Sequence, residues 1–274
     1  MRYVFASILI FSLVIGWLWP SQSEQDPPAP LTSKQRLAHA ALPSSAPSIK
    51  PVTDWRLSHP LQLGLSKLEA GVQQQDINAT YQLGRNLSWC FYSADSDEAH
   101  QQKLDELRRT GDSSSSFANN YDRYEYCRGI SREQKNRFAS LLMDAAQAGH
   151  PQAAVEIGKV SAKLYLQATG QDNLERDAYV KARQDYLTLR QQLLENTAHQ
   201  GNVDALQLLV RDAAGQRMGN QSTAKALAYL KMLQQLDPDL SNQYQWQERR
   251  LQNTATADDI ELAEQLSQSM LNQR

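Results

Sequence analysis

The sequence predicts an all-α chain, a helical-repeat array of αα-hairpins following an N-terminal membrane segment. Three observations carry that prediction. From Leu61 onward apolar residues recur at helical spacing. A glycine-centred hinge appears twice, as "AAQAGHPQAAVEIG" from Ala145 and as "TAHQGNVDALQLLV" from Thr197. Eight of the ten prolines fall between Pro20 and Pro60, which sets an extended stretch apart from an ordered body.

The 274 residues have room for one large domain or two small ones, and 41% hydrophobic residues suffice for a core. A net charge of -2 and a pI near 6.2 give no electrostatic reason to expect nucleic-acid binding. At the N-terminus, "MRYVFASILIFSLVIGWLWP" has one basic residue, Arg2, ahead of an uncharged run from Tyr3 to Trp19. As a helix that run spans roughly 26 Å, slightly short of the ~30 Å bilayer core. Arg2 stays on the cytoplasmic side, so the remainder is exported. Ser21 and Ser23 offer a small-residue cleavage site, whereas the tryptophans of "WLWP" suit an interfacial anchor. The retained anchor, residues 1–19, is the expectation, with signal cleavage as the alternative. No cysteine follows the run to take a lipid.

Residues 20–60, rich in Pro, Ser and Ala, read as a tether, with a short helix expected in "LTSKQRLAHAAL". The helical domain, 61–274, comes next. "DINATYQLGRNLSWCFY" places Ile77, Tyr81, Leu87 and Cys90 or Phe91 at helical spacings, and "DEAHQQKLDELRRTG" gives a polar helix ending at Gly111. "SSSSFANN" has no apolar pattern and is expected to be a loop. Ser131 and Gln134 form a capping box for "REQKNRFASLLMDAAQA". Beyond the first hinge, helices are expected near Pro151–Tyr165, through "NLERDAYVKARQDYLTLRQQLLENTA", over Asn202–Ala213 and through "AKALAYLKMLQQL". "SNQYQWQERRLQ" follows, and a terminal cap helix then buries Ile260, Leu262, Ala263, Leu266 and Met270.

Cys90 and Cys127 are the only cysteines. In an exported chain such a pair bridges, and only one intramolecular connectivity exists. A redox pair is the sharper alternative, but it lacks the short C-x-x-C spacing.

The hinge has a local logic. Gly149 and Gly201 take the left-handed conformation that closes a helix, Pro151 suits a first turn, and Asn202 caps the helix after it. The two glycines lie 52 positions apart, as do Ala153 and Ala205, and "ATYQLG" at Ala79–Gly84 echoes "AAVEIG" at Ala153–Gly158. "AAQAGHPQAAVEIG" and "AKALAYLKMLQQL", the latter with Lys225, Ala226 and Tyr229, resemble the two helices of the Sel-one-like repeats, which are related to the tetratricopeptide repeats. The likeness runs from about Ala139 to Leu236 and thinly over Leu61–Gly84. The chain departs from the family in its longer spacing, in the inserted helix after Gly158 and in lacking a Gly after "LQLLV". The resemblance implies a right-handed superhelix-like stack of helix pairs with a groove for a protein or peptide. Together with the short apolar segment at the N-terminus, it also implies a bacterial envelope setting, on the periplasmic side of the inner membrane.

Chemistry signals are few. No histidine pair has zinc-helix spacing, and "ADSDEAH" lacks the glycine and terminal glutamate of a calcium loop. No phosphate loop, G-x-S-x-G elbow or kinase signature is present. Glu69 or Glu133 as a lone catalytic acid has no local support, so an enzyme, a metal and a cofactor are not expected. The binding expectation rests on Glu156, Lys159, Lys163, Gln207 and Arg211 along the groove helices. It is joined by Tyr121, Arg123 and Tyr124 of "YDRYEYCRG", where tyrosines either contact a partner or pack around the bridge. The alternative function is an accessory factor binding peptidoglycan or another polysaccharide, with aromatic rings stacking on sugars.

Overall fold

The computed structural model describes residues 54–215 and 222–272, all helical or irregular with no strand among them. The expected anchor, its cleavage site and the short tether helix lie outside the described residues. Among those residues no helix is long and apolar enough to cross a membrane.

Helices α1 (Leu61–Gln73) and α2 (Ile77–Phe91) form the first antiparallel pair. Then come α3 (Asp97–Thr110), α4 (Ser114–Cys127), the short α5 (Arg132–Asn136) and α6 (Phe138–Gln147). Past the first glycine hinge lie α7 (Pro151–Lys159), α8 (Ala162–Ala168) and the long α9 (Arg176–His199). The chain closes with α10 (Val203–Ala214), α11 (Thr223–Leu236), α12 (Ser241–Gln252) and α13 (Ala257–Asn272). Packing follows chain order: α2 on α6, α6 on α7, α7 on α9, α9 on α10, α10 on α11, and α11 on both α12 and α13. Contacts of α2 with α7 and of α7 with α10 join these three into one row.

That row is set by one hinge used three times. Gln75, Gly149 and Gly201 all have positive φ, at 60°, 92° and 89°. Each donates its N–H three residues back, to Val72, Ala146 and Ala198. The residue after each donates five back, to Gly71, Ala145 and Thr197. This is the Schellman closure of a helix C-terminus. The following side chains, Asp76, His150 and Asn202, cap the next helix, accepting from the N–H of Ala79, Ala153 and Ala205 respectively. The small residues at those positions let the pairs approach, and Ala153 and Ala205 are fully buried. Gly84 and Gly158, which occupy equivalent places in α2 and α7, meet the next pair directly. A Cβ on Gly84 would lie 3.1 Å from the Leu142 backbone nitrogen, and one on Gly158 2.8 Å from Leu194 Cδ2.

His150 gives this hinge a pH dependence. Its ring is fully buried, stacks on Tyr81 at 4.2 Å, and leaves Nε2 with no hydrogen-bond partner. Burial pushes its pKa down to about 4. The unfolded chain takes up the proton near pH 6.5 while the fold refuses it. His150 therefore costs no stability above pH 6.5, and stability drains away between about 6.5 and 4. The expected loss is about 2–3 kcal/mol. Urea titrations at pH 7 and 4.5 check it: His150→Asn, which keeps a capping side chain, should show a visibly smaller pH loss. Equal losses in both proteins would remove His150 as the cause.

Several expectations are corrected. "SSSSFANN" is the start of α4, capped by Ser113; its first two turns are largely exposed, so no apolar period marks them. The helix expected over Pro151–Tyr165 breaks at Val160, whose backbone is extended, and Ser161 caps α8 anew. Ile260 and Leu262 are exposed on α13, and only Ala263 of the named apolar set is fully covered. Residues 54–60 belong to the folded body rather than the tether. Asn86 donates to the Trp55 carbonyl at 2.7 Å, Arg85 lies over the Trp55 ring at 4.5 Å, and the Leu57 N–H donates to the Tyr126 hydroxyl.

Candidate functional site

Two surfaces bear the expected binding residues. The first surrounds the disulfide, which joins Cys90 at the end of α2 to Cys127 at the end of α4 with Cα atoms 5.3 Å apart. Both cysteines are buried, and beside them the Tyr126 hydroxyl donates to the fully buried Asn86. Tyr124 is not an exposed docking residue. It is 6% exposed, its ring stacks on His100 at 4.0 Å, and its hydroxyl donates to Asp97. That hydrogen bond pushes its pKa up to about 12. Arg123 is half-buried, its guanidinium 4.2 Å above the Trp89 ring. Only Tyr121 of the three, 56% exposed, stands on the surface. Tyr126 packs beside the bridge, whereas Tyr124 packs against α3.

Two of the three carboxylates of "ADSDEAH" are engaged nearby. Asp95 pairs with the buried Lys135 at 2.8 Å and with Arg132 at 2.6 Å. Asp97 accepts from Tyr124 and Arg128. Lys135 also donates to the carbonyls of Ser93 and Ala94, which fastens the loop after α2 to α5. Glu69 is paired with Arg137 at 2.8 Å.

The second surface runs along the α2–α7–α10 row. Arg85 of α2 reaches Glu156 of α7 at 3.3 Å, and Glu156 also holds Lys159 at 2.9 Å. Lys163 is exposed but lies on α8, past the break, so it does not continue the α7 face. Gln207 and Arg211 project from α10 one turn apart. Gln207 donates to the Tyr244 hydroxyl at 2.9 Å, which in turn donates to Asp237. These contacts dock α12 beside α10 and leave a cleft of about 520 Å³ between them.

Val210, Leu233 and Leu251 line the apolar part of this cleft, and Trp246 stands 57% exposed at its side. Gln207, Gln243 and Gln247 supply amides, while Arg211 and Arg250 supply charge. Sequence reasoning found Gln207 and Arg211 but not Trp246 or Arg250. Their signal was present in "SNQYQWQERRLQ", where Trp246 and Arg250 share a helix face at a spacing of four. The cleft has the size of a small-ligand or side-chain pocket, with apolar walls and a few polar groups. Comparison of the chain with protein-family models, with curated proteins and with solved structures returned no match.

Proposed function

We propose that the chain is a cell-envelope adaptor, a degenerate Sel-one-like repeat array that binds another protein or peptide along the α2–α7–α10 row. One observation carries the reading: the hinge repeated at Gln75–Asp76, Gly149–His150 and Gly201–Asn202, with the same backbone bonds and the same capping position. Stacked helix pairs built on a common hinge offer a continuous line of outward side chains, and such arrays act by binding. In this reading residues 1–19 anchor the chain in the inner membrane and the body lies on the periplasmic side. The bridge between Cys90 and Cys127 fits an oxidising compartment. The exposed Trp246 favours one competing reading, an accessory factor that stacks on peptidoglycan sugars.

Lys159 and Arg211, both exposed at the same level of α7 and α10, test the adaptor reading. Changing the two together to Glu should abolish partner capture in a crosslinking pull-down from membranes. The melting temperature should hold, because exposed substitutions cost no more than ~0.5 kcal/mol. Unaltered capture by the double variant rejects this face. A melting temperature of the wild type raised by soluble peptidoglycan fragments moves the assignment to the glycan-binding reading.

A further inference from the structure

We infer that the cleft between α10 and α12 takes an acidic segment of a partner protein, in which carboxylates flank a bulky apolar side chain. The inference rests on the adaptor reading and names the chemistry of the partner.

Charge is the first argument. The lining includes two guanidinium groups, Arg211 and Arg250, and no carboxylate. Bulk charge does not explain this, since the whole chain carries -2. Neighbouring carboxylates already have partners. Asp212 takes Arg190 at 2.6 Å and lies 3.8 Å from Arg211, Asp237 accepts from Tyr244, and Glu248 accepts from Gln234 and Gln252. Among the described residues Arg250 has no carboxylate within 4.0 Å; its guanidinium lies 5.9 Å from the centre of the Trp246 ring. A guanidinium group in the state of Arg250 is free to take a carboxylate in bidentate fashion, and Arg211, with Asp212 only at 3.8 Å, adds a second positive charge. A cationic segment would meet like charge on both sides.

Shape is the second. Val210 stands where α2 has Gly84 and α7 has Gly158, the two positions at which the next pair closes tightly. Here a branched side chain takes the place of that glycine and, with Leu233 and Leu251, forms an apolar floor to the opening between α10 and α12. Trp246 beside that floor offers a flat anchor of the kind enriched at binding hot spots. Gln243 and Gln247 stand where they can meet the backbone of an extended segment.

The test uses the full chain in neutral detergent and labelled heptapeptides in which Glu residues flank Leu, Phe or Trp. Gln-for-Glu and Lys-for-Glu counterparts serve as comparisons, and binding is read by fluorescence anisotropy. At least one acidic peptide should bind ten-fold or more tighter than its Gln counterpart, and the Lys peptides should not bind. Raising salt from about 50 to 300 mM should erode that preference, as screening requires. The Arg211→Gln/Arg250→Gln variant should lose the preference at unchanged melting temperature, and Trp246→Ala should weaken binding of the Glu and Gln peptides alike. Equal binding of Glu and Gln peptides, a preference that survives in the arginine variant, or no binding up to millimolar concentration overturns the inference. So does soluble peptidoglycan binding that depends on Trp246. Membrane capture that Lys159→Glu/Arg211→Glu abolishes, alongside absent acidic-peptide binding, overturns this inference and leaves the adaptor reading in place.

Discussion

Replacing Cys90 and Cys127 together by alanine is expected to lower the unfolding free energy by about 4 kcal/mol, the chain-entropy value for a loop of this length. The separation is 37 residues. The bridge matters because of what lies within that loop. Helix α3 is polar, buries only His100 and Leu104, and packs chiefly on α4. Helix α4 in turn meets the body through Tyr126 and Cys127 at its last turn. Without the bridge these two helices retain few apolar contacts to the core formed by α1, α2 and α6. For a domain of this size the change corresponds to a fall in melting temperature of about 10 °C. Hydrogen exchange should show α3 and α4 opening before the rest in the alanine variant. A loss below about 1 kcal/mol would show that packing alone holds the loop.

The hinges show what a sequence discloses and what it conceals. Gly149 and Gly201 were legible because a left-handed residue favours glycine, and the caps at His150 and Asn202 follow at a fixed offset. The third hinge was hidden, because Gln75 does the same work with a Cβ, at a cost of about 1–2 kcal/mol. Only the echo "ATYQLG" pointed to it. Helix α4 was misread for a different reason: its buried residues gather in its last turn, so its polar first half carries no period. The break at Val160 rests on a single cap, Ser161, inside a stretch whose apolar spacing runs on unbroken. Of the residues that line the cleft, Gln207 and Arg211 are legible from the phase of α10 alone. The cleft was not, since it arises where α12 returns to α10 through Tyr244, a contact 37 residues distant.

Arg190 is the residue whose role the sequence most thoroughly disguised, and its replacement by Met should destabilise the fold by about 3–5 kcal/mol. In "LTLRQQLLE" it is a lone positive charge among polar and apolar neighbours, and it is 3% exposed. Its Nε donates to the Gly158 carbonyl at 2.9 Å and Nη2 donates to the same oxygen. Nη1 pairs with Asp212 at 2.6 Å. One side chain of α9 thus fastens the end of α7 to α10. Methionine fills the space but leaves the Gly158 carbonyl without this donor and Asp212 without its closest cation, with Arg211 at 3.8 Å remaining. Removing one partner of such a pair is costly because the other stays behind, mostly desolvated. A double-mutant cycle separates this cost from lost packing. Asp212→Asn introduced into Arg190→Met should recover part of the loss, with a coupling of about 1–3 kcal/mol. A loss under about 1 kcal/mol for Arg190→Met alone, or no coupling to Asp212, would mean that α7 and α10 are held by their apolar contacts. The cycle also guards the binding experiments. If capture depends on the α7–α10 row, Arg190→Met should lose capture and melting temperature together, whereas Lys159→Glu/Arg211→Glu should lose capture alone.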